Sequence, residues 1–216
     1  MKIIGSDYDG TLNHNGIDDA KREAIEKWRR AGNVFALVSG RHVHSVRDLH
    51  LEQNFACDYF VGSNGAVILN ANNEVVHADC CDLDMLLPLL KYLYELGCPV
   101  GLVHSEDFFD VFPNEDSVKN LNRDYSQKYY FVDSLPALRY YTQVSTWRPT
   151  FEEAAYISAK VRERFGDYFN PMQNGLNIDI VRADVNKAKG LYRLMELTGA
   201  TYDDVITVGD NVNDYD

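Results

Sequence analysis

Ile3-Ile4-Gly5-Ser6-Asp7-Tyr8-Asp9-Gly10-Thr11-Leu12 is a short apolar run that delivers two carboxylates into a glycine-containing turn. It reads as a buried strand ending in a reactive loop. Side chains alternate faces along extended chain, so Asp7 and Asp9 point the same way and Tyr8 the other, provided the extended geometry lasts to Asp9. Like charges that close raise each other's proton affinity unless a cation lies between them, so the pattern calls for a shared proton or a bound metal. Gly10 lets the backbone turn sharply beside the charge. A calcium loop fails on spacing, because its glycine and glutamate positions are occupied here by Leu12 and Asp18. An Asp-x-Asp alone is also what ordinary turns and helix caps carry, so partners elsewhere in the chain must decide its meaning.

Outward from that loop, Ala20 to Ala31 has helical spacing at Ala24, Ile25 and Trp28, with Gly32 as a stop. The run Val34-Phe35-Ala36-Leu37-Val38 is a second strand ending in Ser39-Gly40-Arg41. This β-α-β order argues for a parallel sheet with functional loops at the carboxyl ends of its strands. Val43 to Leu51 reads as helix and Tyr59 to Val61 as a third strand. Ala66 to Leu69 pairs with Val75 to His77 as a hairpin. Near residue 80 the pattern changes. A helix over Leu83 to Leu96 and a strand over Val100 to His104 precede an acidic, aromatic, irregular stretch from Ser105 to about Arg139. A strand over Leu138 to Trp147, a helix over Phe151 to Phe165 and a hairpin over Tyr168 to Val181 complete an α+β module. A helix over Lys187 to Thr198 and a strand over Val205 to Val208 then resume the βα alternation. The sequence therefore predicts an α/β protein with a Rossmann-like parallel sheet core, residues 1–80 and 182–216, and an inserted α+β cap domain, residues 81–181.

Composition narrows the function. A hydrophobic content of 45% supports an ordinary core. No run of about eighteen apolar residues occurs, and Asp7 and Asp9 stand where a signal peptide needs its apolar segment, so a cytoplasmic protein without membrane attachment is expected. Cys57, Cys80, Cys81 and Cys98 lack zinc-site spacing and read as reduced packing thiols. The net charge of −12 opposes a non-specific grip on nucleic acid, which needs a basic stripe that this chain lacks. An acidic chain still binds a small phosphate ester if a metal and one or two cations neutralise the site locally.

Strand-end loops and a helix start hold complementary groups: Asp7 and Asp9, then Ser39, then Lys187, then Asp210 with Asn213 and Asp214. Together they amount to a nucleophile, a metal site and a phosphate clamp. In this order the set resembles the haloacid dehalogenase-like phosphohydrolases, with their Asp-x-Asp-Gly-Thr loop, a Ser or Thr after the second strand, a Lys, and a Gly-Asp-x-x-x-Asp loop. Ser63-Asn64-Gly65-Ala66 and Val185-Asn186-Lys187, together with the large insertion, are similar to the Cof-like branch. The resemblance implies a phosphatase of small phosphate monoesters, in which Asp7 attacks phosphorus to give an aspartyl-phosphate and Asp9 exchanges protons with the leaving group and water. It implies Mg²⁺ held by Asp7, Asp9 through its backbone carbonyl, and Asp210. Ser39, Gly40, Lys187 and Asn213 would hold phosphate, and Asp214 would fix Lys187 or a metal-bound water. A cap would close over the leaving group and choose among esters such as sugar phosphates.

Each residue has a plainer alternative. Ser39 could cap a turn, Lys189 competes with Lys187, and Asn213 could be a turn residue. Arg41 could meet phosphate or pair with a nearby acid. Asn64 could contact substrate or shape its turn. His42, His44 and His50 do not line one helical face, which argues against zinc. Tyr125, Tyr129, Tyr130, Tyr140 and Tyr141 read as cap core and surface. A phosphomutase of the same fold would return phosphate to the sugar, and a non-catalytic protein would bind ester without turnover. Asp216 stands two residues beyond the fourth motif, where relatives are expected to continue with another strand and helices.

Overall fold

The computed structural model describes residues 1–120 and 128–210. The chain opens with β1 (Ile3–Asp7), α1 (Asp19–Arg30), β2 (Val34–Val38), α2 (Val43–Glu52), β3 (Tyr59–Gly62), β4 (Val67–Asn70) and β5 (Val75–Ala78). It continues with α3 (Leu86–Glu95), β6 (Gly101–His104), β7 (Phe108–Phe112), α4 (Glu115–Asn120), β8 (Tyr129–Phe131), β9 (Gln143–Trp147), α5 (Phe151–Phe165), β10 (Phe169–Asn174) and β11 (Asn177–Arg182). It returns through α6 (Lys187–Thr198) to β12 (Val205–Val208). Two compact units result, one from Met1–Asp79 with the chain from Val185 onward, the other from Cys80–Asp184.

The first unit is a sheet in the order β12-β1-β2-β3-β4-β5, parallel through β3, with β4 and β5 antiparallel. Alternation along β1 puts Ile3, Gly5 and Asp7 on one face. There Ile3 packs with Ala36, Val38, Val61, Ile68 and, from α6, Leu191 and Leu194. The helix lies close over β1 because Gly5 has no side chain: a Cβ there would sit 2.6 Å from Leu191 Cδ2. On the opposite face Phe60 of β3 meets the His50 ring of α2 at 4.8 Å. Helices on both faces leave the strand ends as the place for polar groups, as in other Rossmann-like sheets.

The second unit is a sheet in the order β10-β11-β9-β6-β7-β8, antiparallel except between β7 and β8. One of its faces packs Val103, Val111, Val144, Ile178 and Ile180 against Leu89, Leu90 and Leu93 of α3 and Ile157 and Val161 of α5. The α+β character expected for the insertion is present, but two of its elements differ from expectation. The stretch Ser105 to Arg139 is not irregular throughout, since it contains β7, α4 and β8. Phe108-Phe109-Asp110-Val111-Phe112 hides a strand because aromatics stand on both faces, Phe108 and Phe112 on one and Phe109 on the other, which erases the two-residue period. The strand expected from Leu138 begins only at Gln143. Before it, the Tyr141 carbonyl accepts the Cys81 N–H at 2.8 Å and the Tyr141 hydroxyl donates to the Asp82 carbonyl at 2.9 Å, tying this segment to the start of the unit. Among the described residues no helix is long and apolar enough to cross a membrane, and all four cysteines are outside disulfides.

Candidate functional site

The opening loop departs from its expected geometry at Tyr8. Strand β1 ends at Asp7, and the chain closes a turn in which Leu12 N–H donates to the Asp7 carbonyl at 3.3 Å and Asn13 N–H to the Tyr8 carbonyl at 2.8 Å. Extended geometry does not last to Asp9, so the two carboxylates do not share a strand face. Asp7 is buried and Asp9 is exposed.

Asp7 finds its partner 180 residues away, where Lys187 Nζ donates to Asp7 Oδ1 at 2.7 Å. Both side chains are nearly enclosed, at 9% and 7% exposure for Asp7 and Lys187. Lys187 is the first residue of α6, and Asn186 caps that helix by accepting the Lys189 N–H at 2.8 Å. Lys187 is thus the lysine that reaches the acid, and Lys189 stays exposed. A cavity of about 70 Å³ opens beside the pair, lined by Gly5, Val38, Ala188, Leu191, Thr207 and Val208. A larger groove of about 430 Å³ in the second unit is lined by leucines and Asp133, without converging charges, so size does not mark the chemistry here.

Ser39 follows β2, is buried, and accepts the Arg41 N–H on Oγ at 3.2 Å. The turn-capping alternative is therefore real, with half-buried Gly40 inside the turn. Asn64 is buried at φ 53, which shapes the turn after β3, and Gly65 follows because a Cβ there would come 2.2 Å from the Asn186 carbonyl oxygen. Arg41 forks onto Asp9, with Nε to Oδ2 at 2.7 Å and an Nη to Oδ1 at 2.8 Å. Hydrogen bonding to Asp9 is the main reason the Arg41 guanidinium is held above its usual range, against the opposing effect of burial. Burial pushes the Tyr8 phenol up.

Asp210 lies two residues past Val208, which pairs with Ser6, so the β12–β1 register brings it to the end of β1. Its Oδ1 accepts the Thr11 hydroxyl at 2.6 Å, and its Oδ2 lies 2.5 Å from where a Gly10 Cβ would be. The glycine is required by this approach as well as by its φ of 89. Nothing local in the sequence signals this contact of Thr11, whose partner lies 199 residues away. Asn213, Asp214 and Tyr125 lie outside the described residues. Among the described residues no group of three or more His, Cys, Asp or Glu side chains converges on a point fit for a metal. His50 packs against Phe60 and Phe55, and Tyr141 is wholly buried.

A family model for haloacid dehalogenase-like hydrolases matches residues 4–216. The chain belongs to that family. This haloacid dehalogenase-like hydrolase, of the Cof-like branch, is 25% identical over 222 residues to a Buchnera aphidicola protein provisionally named a phosphatase, covering 100% of this chain and 80% of the other. In structure the hydrolase resembles a haloacid dehalogenase-like hydrolase from B. subtilis, with TM-score 0.80 and 17% identity over 99% of this chain and 85% of that one. It also resembles BT4131, described as a subclass IIB sugar phosphatase, with TM-score 0.71 and 18% identity over 99% and 82% of the two chains.

Proposed function

We propose that this hydrolase is a Mg²⁺-dependent, cytoplasmic phosphatase of small phosphate monoesters, acting through an aspartyl-phosphate on Asp7. The observation that carries the reading is the enclosed Asp7–Lys187 pair at 2.7 Å, which sets a carboxylate nucleophile and a fixed cation side by side at a sheet end. In this reading an Asp7 carboxylate oxygen attacks phosphorus, the ester P–O bond breaks with its electron pair on the leaving oxygen, and protonated Asp9 gives that oxygen its proton. Water then attacks the phosphorus, its proton passes to the Asp9 carboxylate, and the bond from phosphorus to Asp7 breaks to release orthophosphate. Lys187, the Ser39 hydroxyl, Gly40 and Asn213 would hold the non-bridging oxygens, where charge accumulates. Asp214 would keep Lys187 in place.

The donor set fits Mg²⁺. It is all oxygen: the carboxylates of Asp7 and Asp210 and the carbonyl of Asp9, whose own carboxylate is occupied by Arg41. Two carboxylates with water and substrate phosphate completing the shell is the usual manner for this ion, which does not need a cage of three acids. When bound, the ion offsets repulsion between the Asp7 carboxylate and the phosphate. The likeness to a sugar phosphatase makes sugar phosphates the first esters to try. A panel of phosphate esters, assayed for phosphate release with Mg²⁺ and again with chelator, tests the reading. Release that depends on Mg²⁺ is expected; no release from any ester in Mg²⁺ overturns it.

A further inference from the structure

We propose that Arg41 is a positioning residue for Asp9, setting the proton step at the leaving group, and that it does not grip phosphate. The proposal rests on the phosphatase reading above and assigns a role within the same site. Both Asp9 oxygens are taken by the guanidinium, at 2.7 and 2.8 Å, so the carboxylate is confined close to the plane of the fork. The arginine is itself fixed from three sides. Its N–H donates to Ser39 Oγ at 3.2 Å, its carbonyl accepts the Ser63 N–H at 2.7 Å, and its guanidinium carbon sits 5.8 Å from the centre of the buried Tyr8 ring. One residue therefore joins the loops that follow β1, β2 and β3.

Two features favour positioning over phosphate binding. The guanidinium's paired donors face Asp9, so gripping phosphate would mean abandoning a bidentate contact. The pair is also half-exposed, at 48% and 52%, and such pairs add little to stability. What the contact fixes is the direction in which Asp9 presents its oxygens, and general acid catalysis depends strongly on that geometry. A poor alkoxide leaving group needs the proton that Asp9 delivers, whereas p-nitrophenolate leaves without it.

The test compares the whole wild-type chain with Arg41→Met and Arg41→Lys on two esters, 2-phenylethyl phosphate and p-nitrophenyl phosphate. It reads kcat/KM, which reports the first phosphoryl transfer, and inhibition by orthophosphate. Arg41→Met is expected to lower kcat/KM on the alkyl ester by about ten- to a hundredfold more than on the aryl ester, part of the range general acids supply. Inhibition by orthophosphate should stay within about threefold, and lysine, with one donor in place of two, should recover part of the loss. Equal losses on both esters, or orthophosphate inhibition weakened about tenfold or more, overturn the assignment while the phosphatase reading stands. If Arg41→Met does not fold, Arg41→Lys carries the same two-ester readout. A wild-type chain that releases phosphate from neither of these esters nor from any ester of the panel overturns the phosphatase reading and this role with it; where only a panel ester is turned over, that alkyl ester takes the place of 2-phenylethyl phosphate, and an unchanged kcat/KM for it in Arg41→Met overturns the role alone.

Discussion

The two sheets place their polar residues in opposite ways. In the first, β1, β2 and β12 are mostly apolar or glycine, and the polar groups Asp7, Ser39 and Asp210 stand at or just past the carboxyl ends. In the second, polar residues run into the strands: Gln143 Nε2 at the start of β9 donates to Ser145 Oγ at 2.8 Å, and that hydroxyl, inside β9, donates to Asp179 Oδ1 inside β11 at 2.7 Å. β1 and β2 are buried on both faces and have no side for a polar residue, so polarity is displaced to their ends, whereas β12 is apolar although three of its four residues are exposed. A sheet with helices packed on one face can carry polar residues on the other. In the first unit, then, reactive groups can be altered with little change to the packing that holds the sheet, whereas in the second a polar change falls within the sheet itself.

The largest effect that separates these cases is expected from Asp7→Asn. An amide cannot supply the attacking oxygen, so turnover should fall by about 10⁴-fold or more. Turnover is read per folded molecule, because asparagine keeps the shape but leaves the enclosed Lys187 ammonium without its counter-charge, and the urea unfolding midpoint should fall as well. Unchanged hydrolysis would remove the nucleophile from Asp7. Next comes Lys187→Met, which keeps the length and apolar stem but removes the charge. Loss of one preorganised donor to the transferring oxygens predicts a fall in kcat of about 10²–10³-fold. A loss confined to stability would show that the 2.7 Å pair with Asp7 is a structural tie only.

These assignments show what the sequence could carry. The strand-loop pattern of the first unit was legible because parallel strands are near-continuous apolar runs, and each of Asp7, Ser39 and Asp210 follows directly from one. Lys187 is preferred to Lys189 because Val185-Asn186-Lys187 resembles the family's setting and the two lysines face different sides of the helix, and it is Lys187 that meets Asp7. The contacts that organise the loops were not. Thr11 on Asp210 and Arg41 on Asp9 are long-range pairings of ordinary polar residues, for which no local spacing is diagnostic. The turn at Tyr8 has no local signal because it is set by hydrogen bonds from Leu12 and Asn13 and not by the residues it bends. In the second unit β7 was hidden by aromatic residues on both of its faces, where packing decides more than propensity.

A smaller effect compares the units through their thiols. Burial pushes Cys57 in the first unit up to about 12, and in the second unit Cys81 up to about 12 and Cys98 up to about 11. An unfolded cysteine titrates near 8.5, so above that pH the unfolded chain has lost protons that the folded chain still holds. Stability is full below about pH 8.5 and falls as pH rises toward the folded values, by about 1.4 kcal/mol per pH unit for each thiol. Urea midpoints at pH 8, 9 and 10 should therefore decline, and replacing Cys81 and Cys98 by alanine should flatten the decline more than replacing Cys57. A pH-independent midpoint would mean that the thiolates are tolerated in place.

The smallest and sharpest contrast makes one substitution twice. Thr11 in the opening loop of the first unit donates to Asp210 Oδ1 at 2.6 Å, and Thr146 in β9 of the second donates to the Val100 carbonyl at 2.6 Å. Thr→Val keeps the volume and deletes one hydrogen bond in each. Thr146 is 3% exposed, so Val100 loses a donor inside the protein, and Thr146→Val should cost about 1 kcal/mol of stability with turnover per folded molecule unchanged. Thr11 and Asp210 are at the surface, where water replaces the lost donor, so Thr11→Val should leave stability within about 0.5 kcal/mol. It frees the Asp210 carboxylate to move, however, and the Mg²⁺ concentration giving half-maximal phosphate release should rise by about tenfold, the low end of what removing a ligand's supporting hydrogen bond costs. If the two variants lose stability equally and neither changes the Mg²⁺ requirement, then the Thr11 contact merely closes a loop, and the separation of chemistry from packing drawn between the two sheets does not hold at Asp210.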